Sequence, residues 1–242
     1  IMRIDIISLF PDFFEGLTSH SIVGRAIGSK KLQLETHNLR DYANDKYKSV
    51  DDHPYGGGPG MVLRVDVLHR ALQDVRSQMP DFSGKVILLT PQGQVYRQAT
   101  ALELAKEESL ILICGHYEGF DERIRDYVDL EISIGDYVLT GGEIPAMVLV
   151  DSVARLIPGV LGDDASSHDE SHSERLLEYP QYTRPEIYEG SDVPKILLSG
   201  NHPEIEKWRK NQARERTASR RPDLLGAEPA PHSDESQADQ NK

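Results

Sequence analysis

The chain has 242 residues, 38% of them apolar, and a formal net charge of -13 at pH 7. This length and apolar content allow one large or two ordinary globular domains. No stretch approaches the roughly 18 uninterrupted apolar residues of a membrane span, and the N-terminal segment lacks the pattern of a signal peptide. We therefore expect a cytoplasmic protein. The lone Cys114 excludes a disulfide within this chain, and its apolar neighbours predict a buried thiol.

Short β-branched runs alternate with helical patterns over the first 160 residues. We predict strands in RIDIISLF (3–10), LQLETHNL (32–39), KVILLT (85–90) and LILIC (110–114). Apolar residues at three- and four-residue spacing predict helices over 65–79 and 97–108, the second with Ala101, Leu102 and Ala105 on its apolar face. A third helix is predicted over 143–157, with Pro145 in its first turn. This alternation indicates an α/β domain with a mainly parallel sheet.

The composition changes after residue 160. Residues 161–178 are rich in serine and acids and predict a flexible linker, and residues 179–225 predict a small helical domain with Ile205 and Trp208 as apolar anchors. Residues 226–242 predict a disordered acidic tail. Within 207–221, seven Lys and Arg residues stand against Glu215 alone. The acidic net charge therefore does not exclude nucleic acid, although a solvated helix face explains the same pattern.

Four glycine-bearing segments occur in the predicted α/β domain: PYGGGPGM (54–61), TPQGQ (90–94), CGHYEGFDER (114–123) and SIGDYVLTGGEIPA (133–146). Two of them follow apolar strands, where open α/β sheets bind ligands. One such loop could merely turn the chain, but four favour a ligand site. Neither a G-x-G-x-x-G turn after the first strand nor a G-x-x-x-x-G-K-[ST] loop is present. The ligand class that these absences leave open is one held by backbone groups, such as a purine with a charged tail that carries no phosphate.

Several of these segments, in order and spacing, resemble the bacterial tRNA (guanine-N1)-methyltransferases over about residues 2–225. The resemblance is carried by ISLFPDFF, DYANDKYKSVDDHPYGGGPGMVL, LTPQGQ, CGHYEGFDERI, SIGDYVLTGGEIPAMVLVDSVARLIPGVLG, YPQYTRPE and LLSGNHPEIEKWR. It implies an S-adenosylmethionine-dependent enzyme that methylates the guanine immediately 3′ of the anticodon. It also implies the SPOUT fold, in which the α/β domain contains a deep C-terminal trefoil knot, although knots are otherwise nearly absent from proteins.

The resemblance further implies which residues contact the methyl donor. They are Leu89 and residues of the glycine-bearing segments 90–94, 114–123 and 133–146. By motif position they are Leu89, Thr90, Pro91, Gly115, Tyr117, Glu118, Gly119, Ser133, Ile134, Gly135, Asp136, Tyr137, Val138, Leu139, Gly141, Gly142 and Pro145.

Two catalytic roles are implied by the family. An arginine that stabilises charge on guanine O6 maps to Arg155, for which a salt bridge to Asp151 is the alternative interpretation. A linker acid that acts as general base maps to Glu170, where the family commonly has aspartate. The extra methylene changes the reach by about 1.5 Å, so the neighbouring Asp169 stays a second candidate. Both acids could also be merely solvated.

The implied partner is the anticodon stem-loop of tRNA, with no DNA and no membrane, and the implied assembly is a homodimer with active sites between subunits.

We assign no metal ligands; the family is described as magnesium-responsive, but the sequence specifies no Mg²⁺ site. Another SPOUT enzyme acting on ribose or ribosomal RNA, and a non-catalytic RNA-binding protein, are the rival functions. The residues expected to contact RNA are Arg184, His202, Lys207, Arg209, Lys210, Arg214 and Arg216.

Overall fold

The computed structural model describes residues 1–79, 81–161, 171 and 175–226. The chain divides into two compact units, Ile1–Asp164 and Ala165–Lys242. Within the first unit, five strands form a parallel sheet in the order β2-β1-β6-β5-β7. They are β1 (Met2–Ser8), β2 (Leu32–Asn38), β5 (Lys85–Val95), β6 (Ser109–Cys114) and β7 (Leu130–Ser133); a separate antiparallel pair is formed by β3 (Asp51–Asp52) and β4 (Val62–Leu63). The predicted α/β class with a mainly parallel sheet is confirmed, whereas the trefoil knot stays a prediction.

Helices cover both faces of the sheet. Because side chains alternate between faces along a strand, Leu110 and Leu112 of β6 enter one apolar cluster, while Ile111 and Ile113 enter another. All four side chains are buried. The helices of this unit are α1 (Glu15–Ser19), α2 (Ser21–Gly28), α3 (Val65–Ser77), α4 (Gln98–Leu104) and α5 (Glu143–Ala154). Short 3₁₀ helices span Pro11–Phe14, Leu39–Tyr42 and Glu122–Tyr127.

The structure differs from the sequence-based expectation at three places. The strand β7 was not predicted, because only Leu130 and Ile132 give its four residues an apolar character. The TPQGQ segment belongs to β5 as an irregularity within the strand, and not to a loop after it. In α4 the buried residues are Ala101, as predicted, and Leu104, whereas Leu102 is 43% exposed.

The second unit contains one long helix, α6 (His202–Arg220), and a two-stranded hairpin of β8 (Ile187–Tyr188) and β9 (Ser191–Asp192). Short 3₁₀ helices span Lys195–Leu198 and Pro222–Leu225. The predicted anchor Ile205 is buried in α6 and Trp208 is half-buried. Thr217, also buried, uses its hydroxyl to accept a hydrogen bond from the backbone N–H of Leu177 at 2.8 Å.

No helix in the described parts of the chain is long and apolar enough to cross a membrane.

Candidate active site

A cavity of about 270 Å³ opens beside residues 89–92 of β5 and at the carboxyl ends of β6 and β7. This volume is several times the roughly 30 Å³ that a water molecule occupies in the liquid, so the cavity can hold an organic ligand. Its lining includes every predicted methyl-donor contact except Asp136, which is exposed. Three sequence segments that are far apart in the chain therefore meet at one place.

The first wall of the cavity is an excursion within β5. Leu89 and Gln94 both pair with Ile132 of β7, so the four residues between them bulge out of the sheet. The hydroxyl of Thr90 accepts a hydrogen bond from the backbone N–H of Gln92 at 3.3 Å. A bulge of this kind re-aims the chain without ending the strand, and it brings backbone groups of residues 90–92 to the cavity.

The second wall is the loop after β7. The Ser133 hydroxyl donates to the carbonyl of Gly135 at 2.9 Å and accepts from its N–H at 3.2 Å. Beyond this turn, Tyr137, Val138 and Leu139 are exposed by 55%, 83% and 38%. Consecutive apolar side chains left in water at the mouth of a cavity favour an apolar ligand surface, since such groups gain from burial.

The floor is a close crossing between the start of α5 and the end of β6. A Cβ atom on Gly142 would lie 2.6 Å from both Cys114 Cα and Gly115 N, which leaves room only for glycine. The Gly142 N–H donates to the Gly115 carbonyl at 2.8 Å. Below the floor, the buried Glu143 carboxylate accepts a hydrogen bond from the Ser8 hydroxyl at 2.7 Å. This bond ties the start of α5 to β1.

Charges in the cavity are unequally compensated. Arg125 forms ion pairs with Glu131 and with Glu122, the latter at 3.0 Å. The carboxylate of Glu118, in contrast, has no cation or hydrogen-bond donor among the described residues, and it stays exposed. Within the described part of the chain, Glu118 therefore gives the cavity lining a negative charge without a partner, which suits a cationic ligand group.

Two other titratable side chains, Tyr117 in the cavity lining and Cys114 just before it in β6, have a raised pKa. Burial raises the pKa of Cys114 well above its usual value, and the nearby Glu143 carboxylate adds to the effect. The predicted burial of this thiol is thus confirmed, at 3% exposure. Burial also raises the pKa of Tyr117; the Asp51 carboxylate acts in the same direction and Arg40 in the opposite one. Neither group is set up to act as a nucleophile near neutral pH.

The sequence matches one family over nearly its whole length. The sequence model described as tRNA (Guanine-1)-methyltransferase TrmD matches residues 2–227. The chain belongs to this tRNA (guanine-1)-methyltransferase family.

Curated relatives agree with this assignment. A tRNA (guanine-N(1)-)-methyltransferase of Dehalococcoides mccartyi is 51% identical over 240 residues, covering 99% of this chain and 96% of the relative. One of Moorella thermoacetica is 53% identical over 225 residues, covering 93% and 90%. One of Clostridium botulinum is 54% identical over 224 residues, covering 93% and 92%. The predicted family and the predicted enzyme class are confirmed.

The cavity lining also includes residues that were not among the predicted methyl-donor contacts. Gln92, His116, Phe120, Glu122 and Thr140 lie inside the quoted glycine-bearing segments, so an inspection of every residue in those segments would have included them. Arg125 and Ile132 lie outside the segments and reach the cavity through the 3₁₀ helix 122–127 and through β7, whose position the sequence did not reveal.

Of the predicted catalytic residues of this methyltransferase, only Arg155 lies among the described residues. Arg155 is the half-buried C-terminal cap of α5, where its backbone N–H donates to the Asp151 carbonyl at 3.3 Å. It is not part of the cavity lining. Asp169 and Glu170 lie outside the described residues, as does most of the predicted linker.

The residues predicted to contact RNA fall into two groups. The guanidinium of Arg209 stacks on the Tyr179 ring at 4.8 Å, and that of Arg216 donates to the Glu178 carbonyl at 3.3 Å, so both help to hold the second unit together. Lys210 forms an exposed ion pair with Glu206. The remaining members are exposed: Arg184, His202, Lys207 and Arg214.

The described residues do not fit a resident metal. No three His, Cys, Asp or Glu side chains among them are grouped as ligands of one ion. A Mg²⁺ ion needs several oxygen ligands, so the described part of this methyltransferase specifies no site for it.

Proposed function

We propose that this enzyme transfers a methyl group from S-adenosylmethionine to N1 of the guanine immediately 3′ of the anticodon in tRNA. The observation that carries the proposal is the meeting of the three family segments around one cavity, beside residues 89–92 of β5 and at the carboxyl ends of β6 and β7. Such an end is where open α/β sheets bind ligands. Since tRNA is found in the cytoplasm, the proposal includes a cytoplasmic location.

The cavity walls suit two parts of the methyl donor, its adenine ring and its positive charge. The backbone of residues 90–92 and of 115, together with the exposed side chains of 137–139, suits an adenine ring that is flat and apolar on its faces and polar at its edge. The carboxylate of Glu118 suits the positive charge. When bound, S-adenosylmethionine supplies an activated methyl group on its sulfonium. The protein has to hold that methyl in line with guanine N1.

The remaining task is removal of the proton from guanine N1. That proton is only weakly acidic near neutral pH, so a carboxylate base that accepts it would lower the barrier, typically by a factor of about 10² to 10⁴. We assign this role to Glu170, with Asp169 as the second candidate. Negative charge then builds on O6, and we assign its stabilisation to Arg155. Loss of one such stabilising group commonly costs about 10² to 10³ in rate.

The exposed cations of the second unit suit the phosphates of an anticodon loop. Lys207 and Arg214 lie on α6, and Arg184 lies just before the β8–β9 hairpin. RNA enzymes of this kind read bases that are unstacked from a loop. We further propose a homodimer in which the linker of one subunit delivers its carboxylate to the cavity of the other.

The central test is methyl transfer to unmodified tRNA, followed by mass analysis of the methylated nucleoside. The wild type is expected to produce 1-methylguanosine, and a ribose-methylated product would refute the proposal. Glu170→Gln is expected to lower kcat by at least about 10², and Arg155→Ala by a similar factor. If Asp169→Asn abolishes turnover and Glu170→Gln does not, Asp169 is the base.

The shared active site has its own test. A mixture of Arg155→Ala and Glu170→Gln subunits forms heterodimers in which one site carries both changes and the other carries neither. Activity should therefore reappear on mixing if the linker acts on the partner. If the linker serves its own subunit, every site stays defective and no activity returns.

A non-catalytic RNA-binding protein would have no use for the methyl donor. Isothermal titration of the wild type with S-adenosylmethionine separates this rival from the proposal, because saturable binding is required of the enzyme. An absence of binding would support the rival.

A further inference from the structure

The glycine-rich segment 54–61 lies outside the cavity lining but is joined to it by backbone hydrogen bonds. The N–H of Glu118 donates to the Met61 carbonyl at 3.0 Å, and the N–H of Leu63 donates to the Gly119 carbonyl at 2.9 Å. The N–H of Asp121 returns to the Leu63 carbonyl at 2.9 Å. Residues 61–63 thus run beside 118–121 in fixed register, and the residue before Met61 faces the Glu118 side chain.

That residue is Gly60, and its lack of a side chain leaves space that Glu118 occupies. A Cβ atom on Gly60 would overlap Glu118 Cγ and would lie 2.6 Å from Oε1 and 2.9 Å from Cδ. Because the overlap begins at Cγ, near the base of the side chain, a small shift of the carboxylate would not relieve it. The whole side chain of Glu118 would have to swing to another rotamer.

The position of this carboxylate matters because Glu118 lines the cavity and its charge has no partner among the described residues. Arg125 is already paired with two glutamates, whereas Glu118 meets no cation within the described residues. A carboxylate in that state attracts a positively charged ligand group and gains little from a neutral one.

From these contacts we infer that Gly60 is a positioning residue, which holds the Glu118 carboxylate where it favours the sulfonium of the methyl donor over the neutral thioether of the product. The inference rests on the proposed function. It gives the glycine-rich segment a role in distinguishing S-adenosylmethionine from S-adenosylhomocysteine, which differ by one methyl group and one positive charge.

The chain offers a matched control for the backbone. Gly57 lies in the same segment and has φ +77°, as Gly60 does, but a Cβ atom there would meet nothing within 4 Å. The variants Gly60→Ala and Gly57→Ala therefore carry the same conformational strain, and only the first displaces Glu118. Thermal unfolding of the two variants should give similar midpoints, which verifies that both fold.

The experiment measures the dissociation constants of S-adenosylmethionine and S-adenosylhomocysteine by isothermal titration, without tRNA. We expect Gly60→Ala and Glu118→Ala to weaken binding of the sulfonium compound about fivefold relative to the thioether, as fits the loss of one partly exposed charge pair. Gly57→Ala should leave the ratio of the two constants unchanged.

A double variant separates positioning from a general disturbance of the loop. In Glu118→Ala the side chain ends at Cβ, so the added Gly60→Ala has nothing to displace and should not change the ratio further. An additional change would overturn the inference, as would an equal loss for both ligands or the same shift in Gly57→Ala. If the wild type binds neither compound, the proposed function itself fails; if it binds both and Gly60→Ala leaves the ratio unchanged, only the role of Gly60 fails.

Discussion

Two regions of the first unit, the β1–β2 side of the sheet and the cavity, differ in whether their carboxylates are paired. On the β1–β2 side, the fully buried Asp5 carboxylate receives hydrogen bonds from Arg3 Nε at 2.7 Å and Nη2 at 2.9 Å and lies 2.7 Å from His37 Nε2. At the cavity, Glu118 is exposed and meets no partner among the described residues.

The contrast between these two carboxylates distinguishes a group that contributes to folding stability from one that is available to a ligand. A buried carboxylate is tolerated only when it is paired, so the group around Asp5 is complete within the folded chain. A ligand site must keep some interactions unmade until the ligand arrives. Glu118, together with the exposed side chains of 137–139, is in that state. Substitutions on the two sides should therefore affect different measurements.

The largest expected effect on folding is at Asp5. Asp5→Asn leaves Arg3 and His37 without their buried carboxylate, and the free energy of unfolding should fall by about 3 to 5 kcal/mol, with little change in affinity for S-adenosylmethionine. Urea denaturation at pH 7 provides the measurement. The control Asp41→Asn removes the exposed ion pair with Lys48 and should cost less than about 1 kcal/mol. Equal losses in both variants would contradict the contrast.

The same carboxylate predicts an acid-dependent loss of stability. Burial alone would raise the pKa of Asp5, but the hydrogen bonds with His37 and Arg3 outweigh it and hold the pKa below its usual value. A folded pKa lower than the unfolded one, about 3.9, gives stability that is present above the unfolded pKa and is lost as the pH falls through the folded pKa. The gap in unfolding free energy between wild type and Asp5→Asn should therefore be constant from pH 7 to about 5 and shrink below that. A gap that does not depend on pH would show that charge is not its cause.

At the cavity, the close crossing of Gly142 predicts a smaller effect on folding that is coupled to binding. In Gly142→Ala the added Cβ meets the backbone of residues 114 and 115, and such overpacking costs about 1 to 3 kcal/mol. Because the crossing forms the cavity floor, binding of S-adenosylmethionine should weaken as well. Gly16→Ala is the control, since its Cβ would meet nothing within 4 Å in α1. It should leave binding unchanged and raise stability by up to about 1 kcal/mol.

The smallest expected effects lie in the second unit, where the same contrast recurs along one helix. Arg209→Ala removes the stacking on Tyr179 and should lower stability by about 0.5 to 1 kcal/mol. Lys207→Ala, on an exposed side chain for which no ion pair is found among the described residues, should leave stability unchanged. It should instead weaken tRNA binding and reduce the salt dependence of that binding. If Lys207→Ala lowers stability more than Arg209→Ala does, the division between the two groups is wrong.

The sequence revealed the sheet where its strands are strongly apolar. The run 110–114 is apolar throughout, so β6 was predictable, whereas the charged Glu131 within the four residues of β7 hides that strand. Arg125 forms an ion pair with Glu131 of this strand, and no local sequence pattern predicts that pair. The motif segments predicted most of the cavity because their glycines mark close crossings. The role of Gly60 was hidden, since it depends on the register between residues 61–63 and 118–121.

The excursion in β5 constrains how this region can change in length. After the excursion, the N–H of Tyr96 donates to the Ser133 carbonyl at 2.7 Å, and its phenol hydroxyl lies 2.7 Å from the Ser152 hydroxyl on α5. Leu89 and Gln94 pair with the same residue, Ile132, so the four residues between them add no step to the pairing of the strand. The pairs of Gln94 and Val95 with β7, and not the number of residues in the excursion, therefore set the placement of Tyr96. Length variation in this region should accordingly be confined to the residues between Leu89 and Gln94, where it leaves the contacts of Tyr96 in place.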